Sequence, residues 1–384
     1  MIRVAVIGSG AISAAHIEAY LSFGDRCRIV ALCDVFPEKA EERKEKHGLD
    51  CEAAGDYREL LARNDIDLVS VCTPPYTHAD IAVHALQSGK HVIVEKPMAS
   101  SLEECDRMIA AAKASGKILS VVSQNRFGDA VMKLKHVLDS GLAGRIVHAQ
   151  VDSFWWRGYV YYDLWWRGTW EKEGGGCTLN HAVHHIDMFQ WMMGMPERVT
   201  AVMSNTSHDN AEVEDLSIAI LSYPRALAQI TSSVVHHGQE QKLIFQGEKA
   251  RISMPWQVTA SLAQENGFPK PHPELEQEIE ALAGDLPPLQ YTGHKGQLDD
   301  VLKAIEKGIG QVLVTGEEGR KTLELITAIY QAASTGRTVE SPLGPGSPFY
   351  TREGIMAGAT HFYEKKNSVT GFSSNQITVS GESS

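Results

Sequence analysis

The first 123 residues alternate between short unbroken apolar runs and amphipathic stretches. "RVAVIG" (3–8), "RIVALCD" (28–34), "IDLVSVC" (66–72) and "KHVIVEK" (90–96) each carry an apolar run that includes β-branched residues, as strands buried on both faces do. Between them lie helical spacings. The first, "AAHIEAYLSF" (14–23), offers Ile12, Ile17 and Tyr20 to pack inward. Strand, turn and helix in repetition predict a doubly wound parallel α/β sheet. From residue 145 the period changes. "RIVHAQVDSFWW" (145–156), "RVTAVMSN" (198–205), "DLSIAILSY" (215–223), "LAQITSSVV" (227–235), "QKLIFQGE" (241–248) and "ARISM" (250–254) are β-type runs joined by short polar turns, which predict a large, mostly antiparallel sheet. Boundaries follow at 1–123 and 124–343. A Gly-, Pro- and Ser-rich extension over 344–384 is expected to be a partly disordered tail, or an arm through "GIMAGATHFYEKK" (354–366).

Composition narrows the classes. A chain of 384 residues exceeds what one core usually supports, so two domains are expected. A net charge of −12 with no basic block excludes a nucleic-acid partner. No apolar run approaches the ~20 residues that span a bilayer, and the N-terminus lacks a signal-peptide layout. Six scattered cysteines without a CxxC pair read as buried free thiols, which fits a cytoplasmic protein.

The turn "GSGAIS" (8–13) follows the first strand directly, and this position makes a glycine fingerprint meaningful. Gly8 permits the tight turn, and Gly10 lets a pyrophosphate approach the backbone. Ala11 and Ile12 open the helix, whose free N–H groups attract phosphate. Ser13, small enough for close packing, replaces the third glycine. Asp34 ends the second strand, where a carboxylate accepts ribose hydroxyls and repels a 2′-phosphate; Val35 and Phe36 follow it, with no arginine. NAD is therefore expected over NADP. Ligands of such sheets sit beyond the carboxyl ends of the strands, which places Thr73, Pro74, Pro75, His78, Glu95, Lys96 and Pro97 over the cofactor crevice. Lys96, lodged between a buried strand and a proline, can hydrogen-bond a reacting oxygen.

At "VEKPMASS" (94–101) the chain resembles the glucose–fructose oxidoreductase / inositol dehydrogenase / MocA (Gfo/Idh/MocA) family. The likeness runs through "CTPPYTHADIAVHALQSGKHVIVEKP", "WRGTWEKEGGGCTLNHAVHHIDMFQWMMG" and "GEEGRKTLELITAIYQAASTGRTVESPL". It implies a Rossmann domain followed by an α/β domain whose large sheet supports a homo-oligomer, a dimer or tetramer. It also implies that the family pattern GGGxxxDxxxHxxD falls on Gly174–Gly176, Asn180, His184 and Asp187.

Read as one helix, this stretch puts Asn180, His184, Asp187 and Trp191 on one face, with His181, His185 and Met188 on the adjoining stripe. Crowded imidazoles raise two readings. A metal site would need three or four converging ligands, drawn from His181, His185 and the pair His236–His237, but no HExxH-type pattern is present and none is expected. A proton-handling face fits better, because alcohol oxidation needs a base at the hydroxyl. Asn180, where relatives often carry aspartate, cannot be that base; the role falls to His184, with Lys96 as partner and His181 or His185 as further candidates.

"FWWRGYVYYDLWWRGTW" (154–170) holds five of the seven tryptophans and two WWR triplets. Aromatic rings stack on sugar rings, and arginine forks grip acidic groups. Arg157, Trp166, Arg167 and Asp187 are thus substrate-binding candidates, with Lys172 nearby, for a carbohydrate that bears an acidic group. Three functions remain open at this point. One is an NAD-dependent oxidoreductase of a sugar, glycoside or polyol, with His184 and Lys96 handling the hydroxyl proton. The second is an NAD-dependent glycoside hydrolase for an acidic glycoside such as a sulfoquinovoside, working by oxidation, elimination, hydration and reduction. The third is a nucleotide-sensing scaffold, which would fit a chain lacking the lysine or the helix histidine.

Overall fold

A computed structural model describes residues 1–308 and 311–372. Its chain divides into two compact units. The first comprises residues 1–128 and 289–323, the second residues 129–288 and 324–384.

In the first unit six parallel strands, β1 (Ile2–Ile7), β2 (Cys27–Cys33), β3 (Glu52–Ala54), β4 (Leu68–Val71), β5 (His91–Val94) and β6 (Leu119–Val121), lie in the order β3-β2-β1-β4-β5-β6. That order reverses direction between β1 and β4, where doubly wound sheets bind nucleotides. Val4, Ala5 and Val6 are wholly buried, which accounts for the unbroken apolar runs. Helix ends follow local rules. Helix Pro37–His47 has proline in its first turn and the left-handed Gly48 (φ 60°) after its last. Helix Leu102–Ser115 is capped by the Ser101 side chain, which accepts the Glu104 N–H at 3.2 Å.

The expected inward trio is corrected at one position. Ile17 and Tyr20 are buried, but Ile12 is 36% exposed, because it precedes the helix Ser13–Leu21 and belongs to the glycine turn. The segment 289–323, read from sequence as part of the second domain, groups with the first unit. Its helix Gly293–Lys307 puts Leu298, Val301 and Leu302 into the core beside Ile17 and Tyr20. Arg26 ties it down through Asp299 (2.6 Å) and Glu306 (2.8 Å).

The second unit is built on nine strands: β7 (Ile146–Phe154), β8 (Arg198–Ser204), β9 (Leu216–Tyr223), β10 (Ala226–Ser233), β11 (Gln241–Gly247), β12 (Ala250–Met254), β13 (Gln257–Ala263), β14 (Pro269–Pro271) and β15 (Val339–Glu340). Their order is β14-β13-β12-β11-β7-β10-β9-β8-β15. β10 runs parallel to β7, and the other pairs are antiparallel. One face carries helix Val183–Met193, with Phe189 stacked on Phe245 of β11 at 6.3 Å. On the opposite face of β8–β10, Val202, Ile218, Ile220 and Leu227 are 44–65% exposed. Of the extension, residues 344–372 belong to this unit and include the helix Arg352–Gly358; the remainder of the expected tail lies outside the described residues. No described helix is long and apolar enough to cross a membrane.

Candidate active site

In the first unit the glycine turn has the shape of a phosphate cradle. Gly8 (φ 99°) bonds the Cys33 carbonyl through its N–H at 2.7 Å, and a Cβ there would lie 2.6 Å from the Cys72 backbone. No other residue fits. At Gly10 the reverse holds: a Cβ would meet nothing within 4 Å, so the turn presents bare backbone to open space. Ser13 is buried and bonds the Gly10 carbonyl (2.7 Å), doing the close-packing work of the missing third glycine. Asp34 accepts the Ser9 N–H at 2.8 Å and the Phe36 N–H at 3.0 Å, so its two oxygens are held at the edge of the turn. Each oxygen retains a lone pair for a ribose hydroxyl. These residues fit a dinucleotide.

Arg43, unforeseen in the sequence, lies on the same turn. Its guanidinium donates to the carbonyls of Ser9 (3.2 Å) and Gly10 (3.0 Å). It comes from the next helix rather than from the residues after Asp34, so a search beside the acid does not find it.

The ends of β4 and β5 are joined by His78. Its Nδ1 lies 3.0 Å from the Pro97 carbonyl and its Nε2 2.8 Å from the Thr73 carbonyl. Burial pushes its pKa down, against the upward pull of the two carbonyls. His78 thus links the two strand ends as a strut, while Thr77 steadies Thr73 (2.7 Å) beside Pro74. Glu95 is buried next to Lys96 and accepts the Lys96 backbone N–H through Oε2 (3.2 Å).

Glu95 also completes the one group of His, Cys, Asp or Glu side chains among the described residues that converges as metal ligands do, with His16 and His294. His16 Nε2 is 3.0 Å and His294 Nε2 3.5 Å from Glu95 Oε1. Hydrogen bonding accounts for the first contact: Tyr20, Ser70, His16 and Glu95 form a buried chain with links of 2.7, 3.3 and 3.0 Å. Burial pushes the Glu95 pKa up, but the two imidazoles and the Lys96 charge outweigh it and hold the carboxyl below the usual range. An ionised carboxylate is thereby kept beside Lys96.

In the second unit the GGG turn is organised by residues far away in sequence. Glu214, fully buried, accepts N–H groups from Gly176 (3.1 Å) and Thr178 (2.9 Å). The Tyr330 hydroxyl donates to Glu214 at 3.0 Å and accepts from Gly176 (3.1 Å) and Leu179 (3.2 Å). A Cβ at Gly175 would lie 2.3 Å from that hydroxyl, which accounts for the glycine.

The single helix expected after this turn is two helices, Cys177–Asn180 and Val183–Met193. Both the His181 and the Ala182 N–H bond the Cys177 carbonyl, at 3.1 and 2.9 Å, and the second bond spans five residues. Such a widened turn rotates the second helix relative to the first. Asn180 thus ends the first helix, while His184, Asp187 and Trp191 lie in the second. The Asn180 amide donates back to the carbonyls of Gly175 (2.9 Å) and Gly176 (3.3 Å).

The histidines separate by environment. His185 is buried against the sheet, with Nδ1 2.9 Å from Ser153 Oγ on β7, and burial pushes its pKa down to about 4. His181 lies among aromatics, its ring 5.5 Å from Tyr161 and 6.1 Å from Trp155. His184 is half-buried at the first turn of the second helix, and Asp187 is buried one turn on. Phe154 stacks on His236 at 4.2 Å and Trp156 on His237 at 5.5 Å.

The two WWR triplets differ in setting. The first leaves β7, and the second sits in a turn after the 3₁₀ helix Tyr159–Asp163 rather than on a strand. Tyr161 lies between the two guanidinium groups, 4.2 Å from Arg167 and 5.6 Å from Arg157. Arg167 also stacks on Trp166 (4.1 Å) and pairs with buried Glu173 at 2.8 Å. Arg157 pairs with no carboxylate among the described residues; it donates to the Trp156 carbonyl (2.7 Å) and to Gln239 (3.3 Å). Its own carbonyl lies 3.1 Å from His208 Nε2, and His208 Nδ1 is 3.0 Å from Asp215. The aromatic–cationic wall thus contains one arginine paired with a carboxylate and one without such a partner among the described residues.

Comparison with known proteins agrees with this architecture. Residues 2–123 match the oxidoreductase family with an NAD-binding Rossmann fold, and residues 131–253 match the GFO/IDH/MocA C-terminal domain. The chain belongs to the Gfo/Idh/MocA oxidoreductase family. Among its relatives is a 2,7-anhydro-N-acetylneuraminate hydratase of Mediterraneibacter gnavus, 28% identical over 65% of this chain and 66% of that protein. The myo-inositol 2-dehydrogenase of Thermotoga maritima is 30% identical over 65% of this chain and 74% of its own length. The WlbA dehydrogenase of Bordetella pertussis, solved with NADH and UDP-GlcNAcA, superposes with a TM-score of 0.75 at 31% identity, over 89% of this chain and 99% of that one. Like these, the Gfo/Idh/MocA chain is an enzyme, and its Rossmann unit is of the NAD-binding kind.

Proposed function

We propose that this enzyme oxidises a hydroxyl of a sugar, glycoside or polyol, and that its substrate carries an acidic group. The observation that carries the second part is Arg157, a cation with no carboxylate partner among the described residues, set in a wall of Trp155, Tyr161 and His181. Arg167, neutralised by Glu173, serves as a stacking platform with Trp166. The WlbA relative, solved with a uronic-acid sugar nucleotide, supports a substrate of this class.

Bound NAD supplies the hydride acceptor. Gly8, Gly10, Ala11 and Ile12 would hold its pyrophosphate and Asp34 its ribose, which favours NAD over NADP. Lys96, with ionised Glu95 behind it, hydrogen-bonds the reacting oxygen. His184 takes the hydroxyl proton, and Asn180 orients the substrate rather than accepting the proton. His185, neutral and held on Ser153, supports the wall. The exposed apolar face of β8–β10 is the surface through which we expect homo-oligomers to form. A monomer in light scattering at micromolar concentration would refute that assignment.

The hydratase relative favours a second reading, an NAD-dependent glycosidase, for which His181 beside Tyr161 would supply the extra proton-transfer group. A panel of glucose, myo-inositol, glucuronate, sulfoquinovose and p-nitrophenyl glycosides of the three sugars decides between them, with NADH formation and nitrophenol release followed together. Net NADH without nitrophenol supports the dehydrogenase. Nitrophenol without net NADH, lost when the cofactor is stripped, supports the glycosidase. Neither signal from any acidic member, with turnover of a neutral one, overturns the acidic-substrate reading.

A further inference from the structure

The C-terminal extension is stitched along the aromatic–cationic loop. Val369 forms a parallel bridge with Leu164, donating to the Asp163 carbonyl (2.8 Å) and accepting from the Trp165 N–H (2.9 Å). Lys365 Nζ reaches the Tyr162 carbonyl, and the Trp170 indole donates to the Thr360 carbonyl at 3.1 Å. The Phe362 N–H bonds the Glu212 carbonyl at 2.9 Å.

Asn210 fastens the arrangement. Its side chain is buried and makes four hydrogen bonds: Nδ2 donates to Asp163 Oδ1 (2.8 Å) and to the Asn367 carbonyl (3.1 Å), while Oδ1 accepts the N–H groups of Lys366 (2.7 Å) and Asn367 (2.9 Å). Both donors and both lone pairs of the amide are used. Among the described residues, loop 159–167 otherwise closes only short-range backbone bonds on itself, such as Tyr161 to Gly158 (2.9 Å) and Arg167 to Leu164 (3.0 Å). A buried polar network of this kind, fully satisfied, specifies one geometry.

We infer that residues 360–369 are a positioning strap, fastened by Asn210, that sets the geometry of the 159–167 loop and thereby the affinity for the sugar. The second half of this statement rests on the substrate reading above; the first half does not. The strap bonds the loop's backbone rather than its side chains, so it fixes where Tyr161, Trp166 and Arg167 stand without touching what they grip. Ordering a binding loop in advance lowers the entropic cost of binding.

Val369→Pro tests this in the full-length enzyme, because it removes the N–H that meets Asp163 at a residue that is 38% exposed. Val369→Ala keeps the backbone bonds and is the control. A chain ending at Ala359 and Asn210→Ala extend the series. Acrylamide quenching of tryptophan fluorescence reads loop order without a substrate, since five of the seven tryptophans lie in 154–170. The KM of whichever panel sugar turns over fastest, set against the Kd for NAD, reads the consequence. Expected for Val369→Pro are stronger quenching and a KM raised at least fivefold, with NAD binding unchanged and Val369→Ala like wild type. Unchanged quenching in both Val369→Pro and Asn210→Ala overturns the strap. Stronger quenching with an unchanged KM keeps the strap as the loop's positioning element but removes the loop from the substrate site, which overturns the substrate reading instead.

Discussion

Replacing Tyr330 by Phe deletes one oxygen and leaves the ring, so its effect isolates the network behind the GGG turn. The lost hydroxyl donates to the Glu214 carboxylate and accepts from the N–H groups of Gly176 and Leu179. Gly176 keeps a partner, because its N–H also reaches Glu214 Oε2 at 3.1 Å. Leu179 keeps none among the bonds the structure shows. A hydrogen bond to a charged group contributes about 1.5–3 kcal/mol, and a buried donor left unsatisfied costs about 1–3 kcal/mol. Relaxation of the short helix Cys177–Asn180 offsets part of the sum, and we expect a loss near 3 kcal/mol. Guanidinium unfolding of the second unit, followed by tryptophan emission, measures it; Trp170 packs edge-on against Tyr330 at 4.9 Å and reports locally. Turnover should fall as well, because Asn180 hangs on the same turn. A stability change under about 0.5 kcal/mol would refute the reasoning, since it falls below even one ordinary hydrogen bond.

The two arginines should part company. Arg157→Ala is expected to cost little stability but at least about tenfold in affinity for an acidic sugar, and about twofold for its neutral analogue, the difference being one charge-assisted bond; equal losses would sink the assignment. Arg167→Ala strands buried Glu173 and should destabilise by about 3 kcal/mol, checked by thermal unfolding. Asp34→Ser removes the carboxylate that repels a 2′-phosphate while Arg43 stays on the adjoining turn, so the NADP-to-NAD ratio of kcat/KM should rise at least about tenfold. In the Asp34→Ser, Arg43→Ala double variant that gain should vanish, and its persistence would exclude Arg43. His185 has a folded pKa of about 4, below its unfolded value, so the unfolded chain binds the proton first and stability falls as pH drops from about 6.5 to 4. The loss amounts to roughly 3 kcal/mol. A His185→Gln chain should have a flatter stability profile in that window, and an unchanged slope would show the residue to be solvated.

What could be read in the sequence was what nearest neighbours decide. The glycine turn, the acid after β2 and the lysine after β5 are each fixed by a strand ending a few residues earlier, and all three follow the C-terminal ends of their strands. The antiparallel sheet was legible from its alternation. The break at His181–Ala182 was not, because nothing local forbids a continuous helix there; it comes with a turn held by Glu214 and Tyr330, more than thirty and one hundred and fifty residues further on. The partners Glu173, Asn210 and Asp215 were hidden for the same reason. Each is a polar residue whose significance is its burial, and burial is a property of the packed chain. One sign was available: acids at 214 and 215 stand directly before an apolar strand, "LSIAIL", where a solvated residue is not the natural neighbour.

The return of residues 289–323 to the first unit has a consequence for biosynthesis. Leu298, Val301 and Leu302 close the core begun by Ile17 and Tyr20, so that core stays open while the intervening 160 residues of the second unit are translated. The nascent Rossmann sheet must wait on the ribosome with one apolar flank bare. Folding in strict order from the N-terminus, the habit of multidomain chains, is denied to it. The second unit, whose nine strands include eight made before residue 289, has the opportunity to gather first. A fragment ending at residue 128 should accordingly bind chaperones and precipitate, whereas one that joins 289–323 to it through a short linker should stay in solution.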